Sequence, residues 1–303
     1  KFINIPASIW ENRGLSRWDL ESLEFGENAS DFLKKNKFDL IVTHYSVDLL
    51  FLPAKSKRIL HLHGVPPRKK EIDGISISDT FNFVAVADFV KKEWQKMHGL
   101  KSIPVCYNGV DIEKFQDKKI KRDIDVFYVG RLVAHKRINV ILDALKLMKD
   151  IKIVIGGMGI SKKELEQLAK KYGLKIDFVG YIPDKELVKY YNRSKIFVHP
   201  ADTREGVITT GLEAMACGAI PIFSKSCGMI EAVNDGKNGF TFTPLNSHEL
   251  REKIKFVLQN FESMEKIRQE AKETIITKFD CNRTINELEK IYLRVAGDQN
   301  ARS

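Results

Sequence analysis

Short apolar segments alternate with helical patterns throughout the second half of this 303-residue chain. The apolar segments are DVFYVGR (125–131), IKIVIGG (151–157), KIDFVG (175–180), KIFVHP (195–200) and AIPIFS (219–224). The helical patterns between them are INVILDALKLMK, SKKELEQLAKKYG, DKELVKYYNRS and GLEAMACG. Strands that alternate with helices form parallel sheets with helices on both faces. This alternation therefore predicts an α/β domain.

The first half repeats the pattern less regularly. Its predicted strands are FDLIVTHY (38–45), RILHLHG (58–64), FNFVAVA (81–87) and SIPVCYNG (102–109), with helices at ASDFLKKNK and DFVKKEWQKMHG. The chain is long enough for two domains. We expect two Rossmann-like domains, at 1–115 and 120–280, joined by the charged stretch 113–125. An amphipathic helix should occupy the tail, 281–303.

Composition limits the class of protein. With 43% hydrophobic and 30% charged residues the chain should form a packed core, and no apolar run approaches the roughly 18 residues of a membrane span. The four cysteines form no CxxC pair, so we expect neither a zinc site nor a disulfide framework, and a cytoplasmic location. The net charge of +10 favours an anionic partner, such as a phosphorylated substrate or an anionic membrane face. Nucleic acid is not expected, because basic residues are mixed with acidic ones and lack interleaved aromatics.

Ligands of open parallel sheets bind beyond the carboxyl ends of the strands. The strand that starts at 125 is followed by GRLVAHKR, the one at 151 by GGMG, and the one at 195 by HPADTREG and then a helix. Arginine, lysine and the free N–H groups of a helix N-terminus together suit a diphosphate. GGMG is not the GxGxxG of a dinucleotide site, which argues against an NAD-dependent oxidoreductase.

Two carboxylates flank the start of that helix, in EGVITTGLEAMACGAIPIF. Glu205 should lie in the loop before the helix and Glu213 roughly two turns inside it. A carboxylate accepts hydrogen bonds through two oxygens and suits vicinal hydroxyls, as in ribose or a hexose. One carboxylate at each end of a nucleotide sugar, with cations for its diphosphate, would explain the spacing. The alternative is that both are solvated acids.

These motifs carry a resemblance to a known family. VGRLVAHKRINVILDAL, IVIGGMG, VGYIPDKELVKYYNRSKIFVHPAD and EGVITTGLEAMACGAIPI, followed by EAVNDGKNGF, closely resemble the donor domain of family-4 glycosyltransferases. Those are retaining enzymes of the GT-B fold, in which two Rossmann-like domains place parallel sheets across a cleft. FDLIVTHY and NGVDIEKF resemble the family's first half more loosely. FDCNRTINELEKIYLRV resembles the helix that returns to the first domain.

The resemblance implies a role for each matching position. Arg131 and Lys136 would neutralise the donor diphosphate, Glu205 would hold the donor sugar, and Glu213 would hold the ribose. The full donor-binding set implied is Gly130, Gly157, Tyr181, Gly206, Val207, Ile208 and Glu213, with the backbone near Tyr181 against the base.

The resemblance also implies a histidine in the first domain that faces the transferred sugar. His63, in LHLHG, is the best match and completes the implied catalytic set of Arg131, Lys136, Glu205 and His63. His61 is the alternative, and strand alternation would put both rings on one face. A histidine satisfied at a strand end remains the competing interpretation.

The implied activity is transfer of a hexose from a UDP- or GDP-linked sugar to a glycan, lipid-linked or small-molecule acceptor. Anomeric configuration would be retained, with no metal and no cofactor. GVPPRKK (64–70) could meet a phosphorylated or lipid-linked acceptor, or the cytoplasmic membrane face that bears it. Alternatives are a non-catalytic sugar-nucleotide-binding subunit and a sugar-nucleotide epimerase. Residues 1–20 lack the glycine-rich loop with which family members begin, so we expect an N-terminal piece to precede this sequence.

Overall fold

The computed structural model describes residues 17–44, 52–53, 56–66, 82–202, 205–226 and 228–297. The chain divides into two compact units. One contains residues up to Cys106 together with those from Asn286 onward, and the other contains Tyr107–Ile285. Each unit has its own parallel sheet, as the alternation of strands and helices predicted. The domain limits expected from the sequence, 1–115, 120–280 and 281–303, differ from these bounds by several residues and remain predictions.

The second unit is built on a six-stranded parallel sheet. Its strands are β4 (Ile124–Val129), β5 (Ile153–Gly156), β6 (Ile176–Gly180), β7 (Ser194–His199), β8 (Ile220–Ser224) and β9 (Phe240–Phe242). They lie in the order β6-β5-β4-β7-β8-β9. The chain therefore starts in the middle of the sheet, builds outward on one side, and returns to the middle to build the other side.

Helices cover both faces of this sheet. They are α3 (Ile138–Leu145), α4 (Lys162–Lys171), α5 (Asp184–Arg193), α6 (Thr209–Ala216), α7 (Ser247–Asn260) and α8 (Glu265–Lys278). Val126 and Tyr128 of β4 pack into a buried cluster with α3, α4 and α7. Phe127, which points the other way, stacks against Tyr190 of α5 with ring centroids 5.6 Å apart. Strand alternation thus fills two separate apolar layers, one on each face.

The first unit has a smaller sheet of three parallel strands. They are β1 (Ile41–Thr43), β2 (Arg58–Leu62) and β3 (Asn82–Ala85), in that order, and its helices are α1 (Arg17–Lys35), α2 (Asp88–His98) and the part of α9 (Cys281–Ala296) from Asn286 onward. Ile59 and Val84 are fully buried, and Ile291 and Tyr292 of α9 pack against them. The last turns of the chain therefore complete a core that the first strands begin.

One predicted strand was wrong, and one strand of the structure was missed. SIPVCYNG (102–109) forms no strand, because it makes only an isolated bridge between Val105 and Ala85. Pro104 has no N–H to donate, which prevents a regular ladder there. Conversely, β9 was not predicted, since its three residues are too few to show a period. No helix in the described parts of the chain is long and apolar enough to cross a membrane.

Candidate functional site

The loops after β4 and β7 meet at the point where the strand order reverses. β4 and β7 are neighbours in the sheet, but the chain leaves β4 towards β5 and leaves β7 towards β8. Such a reversal opens a crevice at the carboxyl edge. Here the two loops are tied together, because Arg137 Nε lies 2.5 Å from Asp202 Oδ2 and the Asp202 amide donates to the His135 carbonyl at 3.3 Å.

Lys136 and Glu205 form an ion pair in this crevice. Lys136 ends a short 3-10 helix (Ala134–Lys136), and its ammonium binds Glu205 Oε1. His135 Nε2 lies 3.6 Å from the same oxygen. Both partners of the ion pair are largely buried. Burial alone would raise the pKa of Glu205, but the hydrogen bond from His199 and the charge of Lys136 hold that pKa at about 2. Glu205 is therefore a carboxylate at neutral pH.

His199 contacts Glu205 from the end of β7. It is the last residue of β7, it is fully buried, and its Nε2 lies 3.3 Å from Glu205 Oε2. Burial lowers the pKa of His199, so its ring is neutral, and a carboxylate can only accept. Nε2 therefore carries the proton that His199 donates to Glu205. Nδ1 is then an acceptor, and it has no hydrogen-bond partner among the described residues.

Arg131 presents a cation at the mouth of the same crevice. It lies just after β4, separated from it by Gly130, and is exposed. Burial is the largest cause that lowers the pKa of His135, and the Arg131 charge lowers that pKa further. Across the described ranges, the Arg131 guanidinium has neither an ion pair nor a hydrogen bond. It is thus free to receive an anion, unlike Lys136.

The backbone leading into α6 adds hydrogen-bond donors. Gly206 and Val207 are buried, and no acceptor for their N–H groups is found in the described structure. The next amide, that of Ile208, points at Met229 Sδ at 3.0 Å. The segment is held in place by Asn108, which donates to the Val207 carbonyl at 3.1 Å. Open N–H groups before a helix N-terminus favour a phosphate or carboxylate oxygen.

Glycines let the loops after β4, β5 and β6 approach one another. The Gly157 amide donates to the Gly180 carbonyl at 2.6 Å, and the Gly130 amide donates to the Gly156 carbonyl at 3.2 Å. Gly157 has φ of 121°, and a Cβ there would lie 1.8 Å from the Gly130 carbonyl oxygen. No other residue fits at Gly157. Tyr181, just after β6, is exposed at this edge.

Glu213 lies in a different environment from Glu205. It is on α6, which begins at Thr209, so Glu213 is just over one turn inside the helix and not two as expected. Tyr191 of α5 donates its hydroxyl to Glu213 Oε2 at 2.8 Å. Burial raises the pKa of Glu213, and the Tyr191 hydrogen bond offsets part of that effect. Oε1 has no hydrogen bond within the described residues, so it can accept a ligand hydroxyl.

His63 belongs to a group of three histidines in the first unit. His63 Nε2 lies 2.7 Å from His44 Nδ1, and the His44 and His61 ring centroids are 4.9 Å apart. His61 is buried and its Nε2 lies 2.7 Å from the Tyr292 hydroxyl. Burial, followed by the neighbouring histidines, lowers the pKa of His61 to about 4, and burial and His44 also lower that of His63.

The sequence anticipated the main groups of the second unit but not their partners. Arg131, Lys136 and Glu205 were expected near one crevice, and the structure brings Lys136 and Glu205 into contact. His199 and Tyr191 were missed. HPADTREG does include His199, but nothing in the spacing shows that its ring turns towards Glu205. In the sequence, Tyr191 looks like one of the apolar residues of α5. It becomes a partner of Glu213 only because α5 packs on α6.

Comparison with known proteins assigns the family. The family model described as glycosyl transferases group 1 matches residues 110–274, which is more than half of the chain. The chain belongs to the glycosyl transferases group 1 family. The match includes the site residues described above in the second unit except Asn108. The histidine group of the first unit lies outside it.

Sequence relatives agree with this family. An uncharacterized glycosyltransferase of Methanocaldococcus jannaschii is 30% identical over 209 residues, covering 64% of this chain and 53% of that protein. The chain thus spans about half the length of that relative. A second uncharacterized glycosyltransferase from the same organism is 26% identical over 304 residues. The match covers 95% of this chain and 83% of that protein.

The crystal structure of Anabaena Alr3699/HepE in complex with UDP and glucose has a TM-score of 0.77 at 20% identity, covering 89% of this chain and 80% of that one. The predicted α/β class and GT-B fold are confirmed.

Proposed function

We propose that this protein is a retaining, metal-independent glycosyltransferase of family 4. It moves a hexose from a UDP- or GDP-linked sugar to a glycan, lipid-linked or small-molecule acceptor. The observation that carries the proposal is the unpaired Arg131 guanidinium at the switch-point crevice of the second unit. A free, permanently charged fork at that edge is suited to two phosphate oxygens.

The donor diphosphate would bind between Arg131 and the loop before α6. The open amides of Gly206 and Val207 supply neutral donors opposite the Arg131 charge. Lys136 is held by Glu205, so its ammonium is fixed in position before any ligand arrives. Positive groups already in place cost little reorganisation when charge develops on the leaving diphosphate.

The two carboxylates would hold the two sugars. Glu205 is ionised and has acceptor capacity beyond its present partners, which suits hydroxyls of the donor hexose. Glu213 keeps Oε1 open while Tyr191 fixes Oε2, which suits a ribose hydroxyl. Gly130 and Gly157 hold the neighbouring loops together, Ile208 comes just before α6, and the backbone of the exposed Tyr181 would face the base.

In the reaction, the bond between the anomeric carbon and the diphosphate oxygen breaks. The acceptor oxygen bonds to the same face of that carbon and passes its proton to the departing diphosphate oxygen, so a nucleoside diphosphate leaves. Arg131 and Lys136 stabilise the departing charge, a task that a divalent metal performs in other transferases. The part of His63, facing the transferred sugar, stays a prediction that rests on the family resemblance.

UDP is our first choice of nucleotide, because the Anabaena neighbour was solved with UDP and glucose. GDP remains open. The acceptor and any contact with an anionic membrane face also remain proposals. They rest on Arg68, Lys69 and Lys70, which lie outside the described residues.

The first test is a thermal-shift panel of UDP, GDP, ADP and CMP, each with and without EDTA. We expect one nucleoside diphosphate to raise the melting temperature equally in both conditions. A ligand at 100 times its Kd stabilises by about 2.7 kcal/mol, so the shift is measurable. Arg131→Ala should abolish it, because the guanidinium supplies the only exposed, unpaired charge proposed for the diphosphate.

Arg283→Ala provides the charge-matched control. Arg283 is also exposed and lies on α9, and its removal should leave the nucleotide shift intact. If no nucleotide shifts the wild-type protein, or if both variants respond alike, the assignment of the site is wrong. A positive result would then be followed by transfer from the matching nucleotide-sugar, with the anomeric configuration of the product read by NMR.

A further inference from the structure

The histidine group of the first unit has the geometry of a metal site. His44 follows β1, whereas His61 and His63 come from the end of β2. The strand register pairs Thr43 with Leu60, so the next position sets His44 beside His61. One nitrogen from each of the three rings lies within 4.8 Å of the other two.

We propose that His44, His61 and His63 bind one divalent transition-metal ion, with Zn²⁺ as the leading candidate. Neutral imidazole nitrogens are preferred ligands of Zn²⁺, Ni²⁺ and Cu²⁺. Three histidines leave a fourth tetrahedral position open to water or to a ligand oxygen. The proposal goes beyond sugar transfer, for which no metal is proposed.

Only small movements separate the group from a metal-bound geometry. Zn–N bonds of about 2.0–2.1 Å in a tetrahedron place the nitrogens roughly 3.4 Å apart. His44 Nδ1 and His63 Nε2 are now 2.7 Å apart, so the ion would push them slightly outward. Both of these side chains are exposed, whereas His61 is buried and held by Tyr292. Small rotations of the two exposed rings would be enough for the three nitrogens to close around an ion.

The anchor for His61 comes from α9. Its Nε2 lies 2.7 Å from the Tyr292 hydroxyl, and the two rings meet edge to face with centroids 5.7 Å apart. A partner that fixes the ring orientation of a ligating histidine is a regular part of protein metal sites. Tyr292 therefore acts here as a positioning residue for His61.

A competing account is that the close contact is only a hydrogen bond. One of the two nitrogens, His44 Nδ1 or His63 Nε2, would then carry a proton that the other accepts. In the metal-bound state both nitrogens would give their lone pairs to the ion, and the protons would sit on the other ring atoms. The two accounts differ in whether the group takes up an ion at all.

The test is equilibrium dialysis of the full chain, free of any histidine tag, against Zn²⁺ alone and against Co²⁺ alone. We expect one ion per chain, and a visible Co²⁺ absorption typical of a low-coordinate nitrogen site. His44→Ala and His63→Ala should each lower the affinity at least tenfold. These two variants are chosen because both side chains are exposed, so their removal leaves the core intact.

His248→Ala is the matched control, since His248 is exposed on α7 in the second unit. It should bind Zn²⁺ as the wild type does. Thermal melting of each variant without metal checks that it is folded. The proposal would be overturned if the wild type took up no ion, or if His44→Ala and His63→Ala bound the ion as tightly as the wild type. Neither measurement needs a nucleotide, so the result is independent of the proposed transfer activity.

A consequence does rest on the proposed function. If His63 faces the transferred sugar, an ion that occupies its nitrogen would slow transfer. Added Zn²⁺ should then inhibit the wild type, and EDTA should restore the rate.

Discussion

At the scale of single residues, Glu205 and Glu213 show how surroundings change one chemical group. Burial would raise the pKa of both carboxyls. At Glu205 the hydrogen bond from His199 and the Lys136 charge reverse that effect, and the pKa falls to about 2. At Glu213, neutral Tyr191 is the only direct donor among the described residues, so burial prevails and the pKa is raised.

The two carboxylates should therefore affect stability in opposite directions. Because the folded pKa of Glu205 is depressed, its charge stabilises the fold above its ordinary pKa, and that benefit is lost as pH falls towards 2. Glu205→Gln should lower the free energy of unfolding at neutral pH by about 3 kcal/mol, since it leaves Lys136 buried without its partner. Thermal melting at neutral pH measures this. An unchanged midpoint would contradict the buried ion pair.

Glu213→Gln should stabilise the free protein at neutral pH. The folded pKa of Glu213 is raised, so the wild type is most stable below its ordinary pKa and loses stability as pH rises through the folded value. The gain in the variant should shrink as pH falls through the raised pKa towards the ordinary Glu value of about 4.3. The same variant should bind the nucleoside diphosphate more weakly, because an amide replaces an acceptor carboxylate. If Glu213→Gln neither gains stability nor loses affinity for the nucleotide, Glu213 does not have this role.

At the scale of elements, the glycine contacts between the loops after β4 and β5 fix the shape of the crevice. Gly157→Ala would place a Cβ 1.8 Å from the Gly130 carbonyl, which only a backbone shift can relieve. We expect a loss of about 1–3 kcal/mol in stability together with weaker nucleotide binding.

Gly173→Ala is the control for Gly157→Ala. Gly173 also has a positive φ, of 65°, but a Cβ there would meet nothing within 4 Å. It should cost only the roughly 1–2 kcal/mol of a left-handed residue and leave nucleotide binding unchanged. Equal loss of binding in both variants would show that backbone strain alone explains the effect.

The sequence predicted elements best where packing and pattern coincide. The five strands that it indicated between 125 and 224 all exist, because each is a buried apolar run between helices. Topology then explains why Arg131 and Lys136 could be grouped with Glu205. The partners His199 and Tyr191 could not be foreseen, because their roles depend on side-chain directions and on helix packing. His44 could not be grouped with His61 before the register of β1 and β2 was known.

At the scale of the whole molecule, each unit has its own core, and all three tryptophans lie in the first 106 residues, at Trp10, Trp18 and Trp94. Tryptophan fluorescence should therefore follow unfolding of the first unit. The nucleoside diphosphate should raise the transition of the second unit, seen by calorimetry, and shift the fluorescence transition less. Equal shifts in both signals would show that the two units unfold as one.

The first unit is discontinuous in sequence, and this affects the order of its biosynthesis. Ile59 and Val84 are covered by Leu288, Ile291, Tyr292 and Val295 of α9. At a typical 5–20 residues per second, the roughly 190 residues between Cys106 and Val295 take about 10–40 s to synthesise. The second unit is complete before that, so it can fold first on the ribosome. Until α9 is made, the strands of the first unit have an uncovered apolar face. A chaperone would be needed at that face.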